Sequence, residues 1–295
     1  MEITIYGCGY VGGALASLLL IDGHFNLNIM DPDPSLAGRI LDLQNAAALR
    51  GTRITWNDAA RVTEAQYIFF CAGASNPRGS SRYEVAQDNK ALVGEIFSGT
   101  ELSPDATVIV VTNPVDLVAQ WISEVFDHAI RVFGTGTLID TARLRQLIAE
   151  ERQWDLHRLD TLVLGEHGPH MTPIYSHTFF DDEGCSFSDA TQARLETQLK
   201  RFATHIRETQ PATVFGPAKC AYEIFAALEG RIVDTLPLST QITPFYREKL
   251  SVTADIFLSL PYTFEEEPNR VLDLELNAAE WAGMRAAAAH LVQHQ

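Results

Sequence analysis

Three side chains in the middle of the chain have types and spacing that suit acid–base chemistry on an anion. They are Asp140 and Arg143 in "DTAR" and His167 in "GEHG". Histidine exchanges a proton near neutral pH, and a carboxylate on its other ring nitrogen fixes the tautomer. Arginine binds a carboxylate through two parallel hydrogen bonds, a geometry that lysine cannot copy. Because Asp140 and Arg143 are three residues apart, we expect them on one helix face.

A glycine-hinged loop, "CAGASNPRGSSR" at 71–82, follows an apolar strand and carries Arg78 and Arg82. Ligands of α/β enzymes gather beyond the carboxyl ends of strands, so both arginines are candidates for holding an anionic substrate. For Arg78, an ordinary solvated loop residue is the alternative. Asn113, in "TNPVD", lies at the end of another apolar run.

The segment "GCGYVG" places Gly7, Gly9 and Gly12 between a strand and a helix. Glycines there permit a tight turn, let the backbone approach a pyrophosphate, and put the helix N-terminus beside the phosphate charge. Asp31 ends the next strand, 24 residues after Gly7, and suits a ribose diol while repelling a 2′-phosphate. Asp33 strengthens this preference for NAD over NADP. The alternative for Asp31 is a capping residue of the turn "DPDP".

The elements that must position these residues alternate between strands and helices in the first half. Five apolar runs are typical of buried parallel strands separated by crossover helices: "EITIYG", "NLNIMD", "YIFFCAG", "TVIVVTN" and "IRVFGTG". We therefore predict an α/β protein with an N-terminal doubly wound parallel sheet of the Rossmann type, residues 1–140. Mixed strands and helices then predict a C-terminal α+β catalytic domain, residues 141–295. A capping box at "NAAE" opens a final helix.

Composition excludes several classes of protein. A formal net charge of −16 argues against nucleic acid, and any anion site must be lined locally by arginine. The longest apolar runs are of strand length, which argues against a membrane partner. No secretion signal is visible, and the four cysteines lack metal-ligand spacing. We expect reduced thiols, a cytoplasmic location and no metal site.

Over essentially its whole length, the sequence resembles the lactate/malate dehydrogenase family. The matching motifs are "GCGYVG", Asp31, "AG…PRGSSR", "TNPVD", "GTGTLIDTARLR", "LGEHG" and "DIFLSLP". The resemblance implies reduction of a 2-oxo acid to an L-2-hydroxy acid by hydride transfer. His167 would be the general acid/base and Asp140 its partner. Arg143 would bind the substrate carboxylate, Arg82 would polarise the carbonyl, and Asn113 would bind a substrate oxygen.

The resemblance also implies the cofactor NAD and an assembly, either a homodimer or a homotetramer. The cofactor contacts expected from it and from the glycine motif are Gly7, Gly9, Tyr10, Val11, Gly12, Asp31, Gly73, Asn89, Val111 and Asn113.

Two positions depart from the family pattern. Asn76 falls where malate enzymes have arginine and lactate enzymes have glutamine, and a short neutral amide cannot pair with a second carboxylate. Arg78 lies two residues on and is the alternative partner of a dicarboxylate, as in a malate dehydrogenase. Ala218 replaces a small hydroxyl residue near the substrate. Because "GTGTLIDTAR" also resembles hydroxyisocaproate-type enzymes, the sequence favours a 2-oxo acid substrate with a larger or less polar side chain than a methyl group.

Two other classes of protein stay open. An NAD-dependent glycosidase would share the nucleotide domain but needs a metal site, for which no Cys/His pair follows "NP". A non-catalytic NAD-binding protein would not need the polar residues described above. His170 and His177 receive no role.

Overall fold

The computed structural model describes residues 1–74, 85–265 and 268–295, which form two compact units. The first unit comprises residues 1–134 and 214–226, and the second comprises residues 135–213 and 227–295. Asn76, Arg78 and Arg82 lie outside the described residues. Within the described ranges, no helix combines the length and the apolarity needed to cross a bilayer.

The helices and strands alternate through the first unit and are mixed in the second. The α-helices are α1 (Tyr10–Leu19), α2 (Ala37–Ala48), α3 (Ala59–Val62), α4 (Ala86–Phe97), α5 (Val115–Val125), α6 (Leu138–Arg152), α7 (Asp189–Thr209), α8 (Phe215–Leu228), α9 (Pro244–Leu250) and α10 (Ala278–Gln293). The strands are β1 (Glu2–Tyr6), β2 (Asn26–Met30), β3 (Ile54–Trp56), β4 (Tyr67–Phe70), β5 (Thr107–Val110), β6 (Arg131–Gly134), β7 (Leu159–Asp160), β8 (Val163–Gly165), β9 (Met171–Pro173), β10 (Phe179–Phe180), β11 (Glu183–Gly184), β12 (Thr235–Gln241), β13 (Phe257–Thr263) and β14 (Arg270–Val271).

The first unit is built on a parallel sheet with the strand order β3-β2-β1-β4-β5-β6. Residues in β4 and β5 are buried along their full length, as is typical of a parallel sheet with helices on both faces. The strand order reverses between β1 and β4, and in such sheets ligands bind beyond the strand ends at this point. The glycine turn after β1 and the segment 71–74 after β4 both lie there.

The predicted doubly wound sheet is confirmed, and each of the five predicted strands is present. β3 was not predicted, because three residues are too short to produce a clear pattern.

The segment 214–226 packs with the first unit, although it lies far along the chain. The Phe225 ring contacts Phe25, Tyr67 and Phe69, with ring centroids 6.4, 5.0 and 6.2 Å away. These aromatic contacts attach the segment 214–226 to the first unit. The compact units therefore differ from a single division at residue 140: the chain enters the second unit at Thr135 and returns to the first at Val214.

The second unit contains an antiparallel sheet in the order β12-β13-β8-β9, with β14 beside β13. A smaller antiparallel sheet has the order β11-β10-β7. The expected α+β architecture is confirmed, and so is the capping box, since Asn277 accepts from the Glu280 N–H and Glu280 accepts from the Asn277 N–H. The core around α6 is apolar and consists of Leu144, Ile148, Ala149, Leu159, Val163, Tyr175, Leu195 and Leu199.

Candidate active site

The first turn of α6 is fastened to β8 by threonine side chains. The Thr137 hydroxyl donates to the carbonyl of Val163, and the Val163 N–H donates to Thr141 Oγ1 over 2.9 Å. Asp140 lies within this turn, and His167 follows the end of β8 by two residues. The threonine bonds therefore fix the part of α6 that carries Asp140 against the strand that leads to His167.

Asp140 is fully buried, and each of its two carboxylate oxygens contacts a different functional side chain. Oδ2 lies 2.6 Å from Nδ1 of His167, and Oδ1 lies 3.0 Å from Nη1 of Arg143. An ionised carboxylate can only accept, so Nδ1 of His167 carries the proton in this bond. The remaining ring nitrogen, Nε2, is then the atom that can exchange a proton with a substrate. The sequence prediction that Asp140 and Arg143 share a helix face is confirmed.

Arg143 keeps donors for a ligand while it contacts Asp140. A guanidinium has five N–H donors, and the contact with Asp140 uses one terminal nitrogen. The Phe202 ring of α7 lies with its centroid 5.8 Å from the guanidinium carbon and packs beside the cation. The side chains of Arg143 and His167 are each 10% exposed, so both reach the edge of the unit. This arrangement can bind a carboxylate and transfer a proton.

Gly9 and Gly12 of the glycine turn have different surroundings, so glycine is needed at each position for a different reason. A Cβ on Gly12 would overlap the carbonyl of Gly7, so glycine is required there by packing within the chain. A Cβ on Gly9 would meet nothing within 4 Å. Gly9 is also the N-cap of α1, and it makes no side-chain cap. Open space in front of an uncapped helix N-terminus fits a pyrophosphate group.

The two residues between Gly9 and Gly12 differ in exposure. Tyr10 is 58% exposed, whereas Val11 is half-buried.

The side chain of Asp31 is held in place by backbone N–H groups, one of which belongs to the glycine turn. Its Oδ2 accepts from the Cys8 N–H over 2.7 Å, and its Oδ1 accepts from the Asp33 N–H over 3.0 Å. A carboxylate has about four acceptor positions, so two remain for a ribose diol. The N–H and the hydroxyl of Ser35 hold the pKa of Asp33 below its usual value, which keeps a second negative charge nearby. Both charges would repel a 2′-phosphate.

The side chain of Asn89 links the segment after β4 to the segment after β5. Its Oδ1 accepts from the Ala74 N–H, and its Nδ2 donates to the carbonyl of Asn113, each over 2.7 Å. Asn89 is only 1% exposed. It therefore braces the loops after β4 and β5, which include Gly73 and Val111. A Cβ on Gly73 would lie 2.6 Å from Thr112 Cγ2, so this segment is tightly packed.

Asn113 offers a buried acceptor after β5, at the same edge of the parallel sheet as the glycine turn. Within the described part of the chain, its Oδ1 is buried and has no hydrogen-bond partner. The peptide bond to Pro114 is cis. A buried carbonyl oxygen is expected to find a donor, and a ligand N–H or O–H would supply one. The prediction that Asn113 contacts a ligand is consistent with this geometry.

Sequence reasoning missed Arg39, a cation of α2 that lies against the glycine turn. Its Nη1 donates to the carbonyl of Cys8 over 2.6 Å, and its guanidinium lies 5.8 Å from the Tyr10 ring centroid. Arg39 is 27 residues from Gly12, and no sequence pattern links it to the turn.

The thiols near the nucleotide turn are not suited to act as nucleophiles. Burial raises the pKa of Cys8 to about 11 and that of Cys71 to about 12. Both are therefore protonated at neutral pH, and the thiolate is the reactive form.

Ala218 is fully buried within α8. Its place beside a substrate stays a prediction, as do the roles of Asn76, Arg78 and Arg82.

Two family models match the chain. Residues 1–134 match the NAD-binding domain of lactate/malate dehydrogenase, and residues 137–294 match the α/β C-terminal domain of the same family. The first match confirms the prediction of NAD as the cofactor.

Known proteins of similar length also match. An L-lactate dehydrogenase of Moorella thermoacetica is 28% identical over 309 aligned residues, which cover 99% of this chain and 96% of the relative. Two solved structures share the fold. A minor L-lactate dehydrogenase of Enterococcus mundtii has a TM-score of 0.87 and 23% identity, and the lactate dehydrogenase of Cryptosporidium parvum, solved with lactic acid and NAD, has a TM-score of 0.88 and 18% identity. Each covers 99% of this chain and 96% of the other.

With both of its units matched and in the same order, the chain belongs to the lactate/malate dehydrogenase family of NAD-dependent 2-hydroxy acid dehydrogenases.

Proposed function

We propose that this protein interconverts a 2-oxo monocarboxylic acid and an L-2-hydroxy acid, with His167 as the general acid/base. The observation that carries the proposal is the carboxylate of Asp140, which lies between the imidazole of His167 and the guanidinium of Arg143. One buried anion thereby orients both a proton donor and a carboxylate-binding group.

The chain's own residues account for the proton and for substrate orientation. When bound, NADH supplies the hydride that reduces C2 of the substrate. In this direction, Nε2 of protonated His167 gives its proton to the oxygen on C2, and Asp140 stabilises the imidazolium before the transfer. In the reverse direction, neutral His167 accepts the hydroxyl proton. Arg143 binds the substrate carboxylate through two parallel hydrogen bonds, so the carbonyl is held in one orientation.

The first unit supplies the residues that would hold NAD. Gly9 and the N-terminus of α1 would hold the pyrophosphate, and Asp31 would accept from the ribose hydroxyls. Arg39 would add a positive charge beside the phosphates. Asn113 would offer its buried Oδ1 to a donor on the cofactor or substrate. Asn89 would act through the two loops that it braces, rather than by a direct contact alone.

The monocarboxylic preference rests on two supports. Asn76 is neutral at the position where the family distinguishes its substrates, and the Moorella relative and both solved structures are named as lactate dehydrogenases. Asn76 and Ala218 together favour a substrate side chain that is larger or less polar than a methyl group. Arg82 would polarise the carbonyl oxygen as in the family. The L-configuration rests on the names of the relatives, and the homodimer or homotetramer and the cytoplasmic location stay predictions.

A substrate panel tests the proposal. NADH oxidation is followed with pyruvate, 2-oxoisocaproate, phenylpyruvate and oxaloacetate, and NADPH serves as the cofactor control. We expect the highest kcat/KM with one of the monocarboxylates and little turnover with NADPH. The highest kcat/KM with oxaloacetate would contradict the proposal and favour Arg78 as the partner of a second carboxylate. Absence of turnover with all four acids, with NADH binding intact, would favour a non-catalytic NAD-binding protein.

A further inference from the structure

A second group of titratable side chains joins the loop that carries His167 to the last helix. Glu166, His170 and His290 each place one ligand-type atom within 4.8 Å of the others. We call these three residues the Glu166 cluster. Glu166 and His170 belong to the loop between β8 and β9, and His290 belongs to the last turn of α10. None of them has a role in the proposed reaction.

The strand pairing brings the two loop residues together. Gly165 of β8 pairs with Met171 of β9, so residues 166–170 form the connecting loop of an antiparallel hairpin. Glu166 and His170 are at the two ends of this loop and therefore lie near each other. The backbone of the hairpin, rather than flexible side chains alone, sets their separation.

The distances within the cluster are close to those of a metal site. Glu166 Oε2 lies 3.2 Å from His290 Nδ1, and the Glu166 side chain is only 1% exposed. Two ligands of a tetrahedral zinc ion are about 3.3 Å apart, because each metal–ligand bond is about 2.0 Å. The His170 atom lies within 4.8 Å of the others, so a modest rotation of this half-buried ring would complete the set.

The types of side chain around Glu166 also suit a metal ion. The His290 ring centroid lies 4.6 Å from that of His170 and 4.3 Å from that of His294. Three imidazoles beside one buried carboxylate are a nitrogen-rich set, which suits zinc better than calcium or magnesium.

We propose that the Glu166 cluster binds a divalent transition-metal ion of the zinc class, with Glu166, His170 and His290 as its protein ligands. Three protein ligands leave a fourth position for water or for the nearby His294. This inference replaces the sequence-based expectation of no metal site. That expectation considered linear spacing, and His290 lies 120 residues from His170.

A bound ion would join the C-terminal helix to the loop that carries the acid/base. Glu166 and His167 are consecutive, but Glu166 contacts His290 of α10 and His167 contacts Asp140 of α6. A metal ion on Glu166 would hold α10 against this loop and restrict its movement. We expect the ion to stabilise the folded chain, because it binds the folded state and not the unfolded one.

The test measures metal binding by the full chain after treatment with EDTA. Zn²⁺ is titrated by calorimetry, and Co²⁺ is added separately to read the ligand geometry from its visible absorption. We expect one saturable site per chain, the intense bands of tetrahedral Co²⁺, and a melting temperature that rises with Zn²⁺ concentration. His290→Gln and His170→Gln should each abolish the saturable site and the bands. Circular dichroism checks that both variants are folded.

Two controls locate the site. His157→Gln replaces an exposed histidine of the same unit, and it should bind as the parent chain does. His167→Ala should also keep the site, because His167 is not among the proposed ligands and contacts Asp140 of α6. The inference is wrong if no saturable binding occurs, if either His290→Gln or His170→Gln binds as the parent does, or if His167→Ala loses the metal.

Discussion

Around Gly9 the protein offers backbone N–H groups and open space, whereas around Asp140 it offers charged side chains that are almost fully buried. In the proposed function, the nucleotide turn would hold the pyrophosphate through its main chain, and one carboxylate, Asp31, would select NAD over NADP. The group around Asp140 is held together by charge, because the Asp140 carboxylate contacts both His167 and Arg143. The difference shows which substitutions each region should tolerate. A methyl group added at Gly9 should change how a ligand fits, while removal of the Asp140 charge leaves its charged partner buried and unpaired.

Asp140→Asn should have the largest effect, because it removes the buried negative charge and leaves one acceptor oxygen for two donors. The amide cannot hold His167 in the required tautomer, so we expect kcat to fall by about 10²–10⁴-fold. Arg143 also loses its partner, and the free energy of unfolding should fall by about 3 kcal/mol. Turnover assays and urea unfolding measure the two effects. Asp189→Asn, in the first turn of α7, is the matched control and should change neither. A normal kcat in Asp140→Asn would contradict the view that the site around Asp140 depends on its buried charge.

Arg143→Lys should have the second-largest effect, because lysine keeps the positive charge but cannot form the bidentate hydrogen bonds to a carboxylate. We expect a loss of about 2–4 kcal/mol in kcat/KM for the 2-oxo acid, which is the scale of a charged hydrogen bond and its geometry. NADH affinity should not change. Arg145→Lys, on the same helix, is the control, because Arg145 pairs with Asp160 at the surface. An unaltered KM in Arg143→Lys would count against its role as the carboxylate-binding residue.

Two glycine substitutions separate packing from ligand contact in the nucleotide turn. Gly12→Ala should lower the free energy of unfolding by about 1–3 kcal/mol, because its Cβ would overlap the Gly7 carbonyl. Gly9→Ala should leave stability almost unchanged, since its Cβ meets open space, but the Kd of NADH should rise about tenfold, or about 1.4 kcal/mol. Thermal unfolding and NADH fluorescence titration provide the readouts. If Gly9→Ala binds NADH normally, the open space does not hold the pyrophosphate.

Asn89→Ala should have the smallest effect on ligand binding in the series, and it tests whether the side chain of Asn89 stabilises the loops of the first unit. Loss of the bonds to Ala74 and Asn113 should cost about 1–3 kcal/mol of stability, since it leaves backbone groups without partners. NADH affinity should fall only as far as the two loops shift. Gln44→Ala, which removes one partly buried bond to Ile54, is the comparison. Equal stability of Asn89→Ala and the parent would contradict the bracing role.

The sequence was most informative where a pattern is local. Continuous apolar runs predicted the buried parallel strands β1, β2, β4, β5 and β6, and the Asn277 capping box predicted the start of the last helix. The helical spacing of Asp140 and Arg143 also led to the correct juxtaposition of these two residues. In each case the chemical reason lies within a few consecutive residues.

The features that were missed depend on contacts between distant parts of the chain. Phe225 joins the first unit through rings of strands far away in sequence, and Arg39 reaches the glycine turn from another helix. The Glu166 cluster exists only because α10 brings His290 to the loop after β8. No spacing rule connects such residues, so only the folded chain shows them.

The most direct test of the account is the catalytic step of His167→Ala. NADH affinity is measured by fluorescence, and kcat is measured with the best acid of the substrate panel. We expect the Kd of NADH to stay at the parent value and kcat to fall by about 10²–10⁴-fold, because the proton donor is removed while the nucleotide region is untouched. An unchanged kcat would show that the acid–base role belongs to another group.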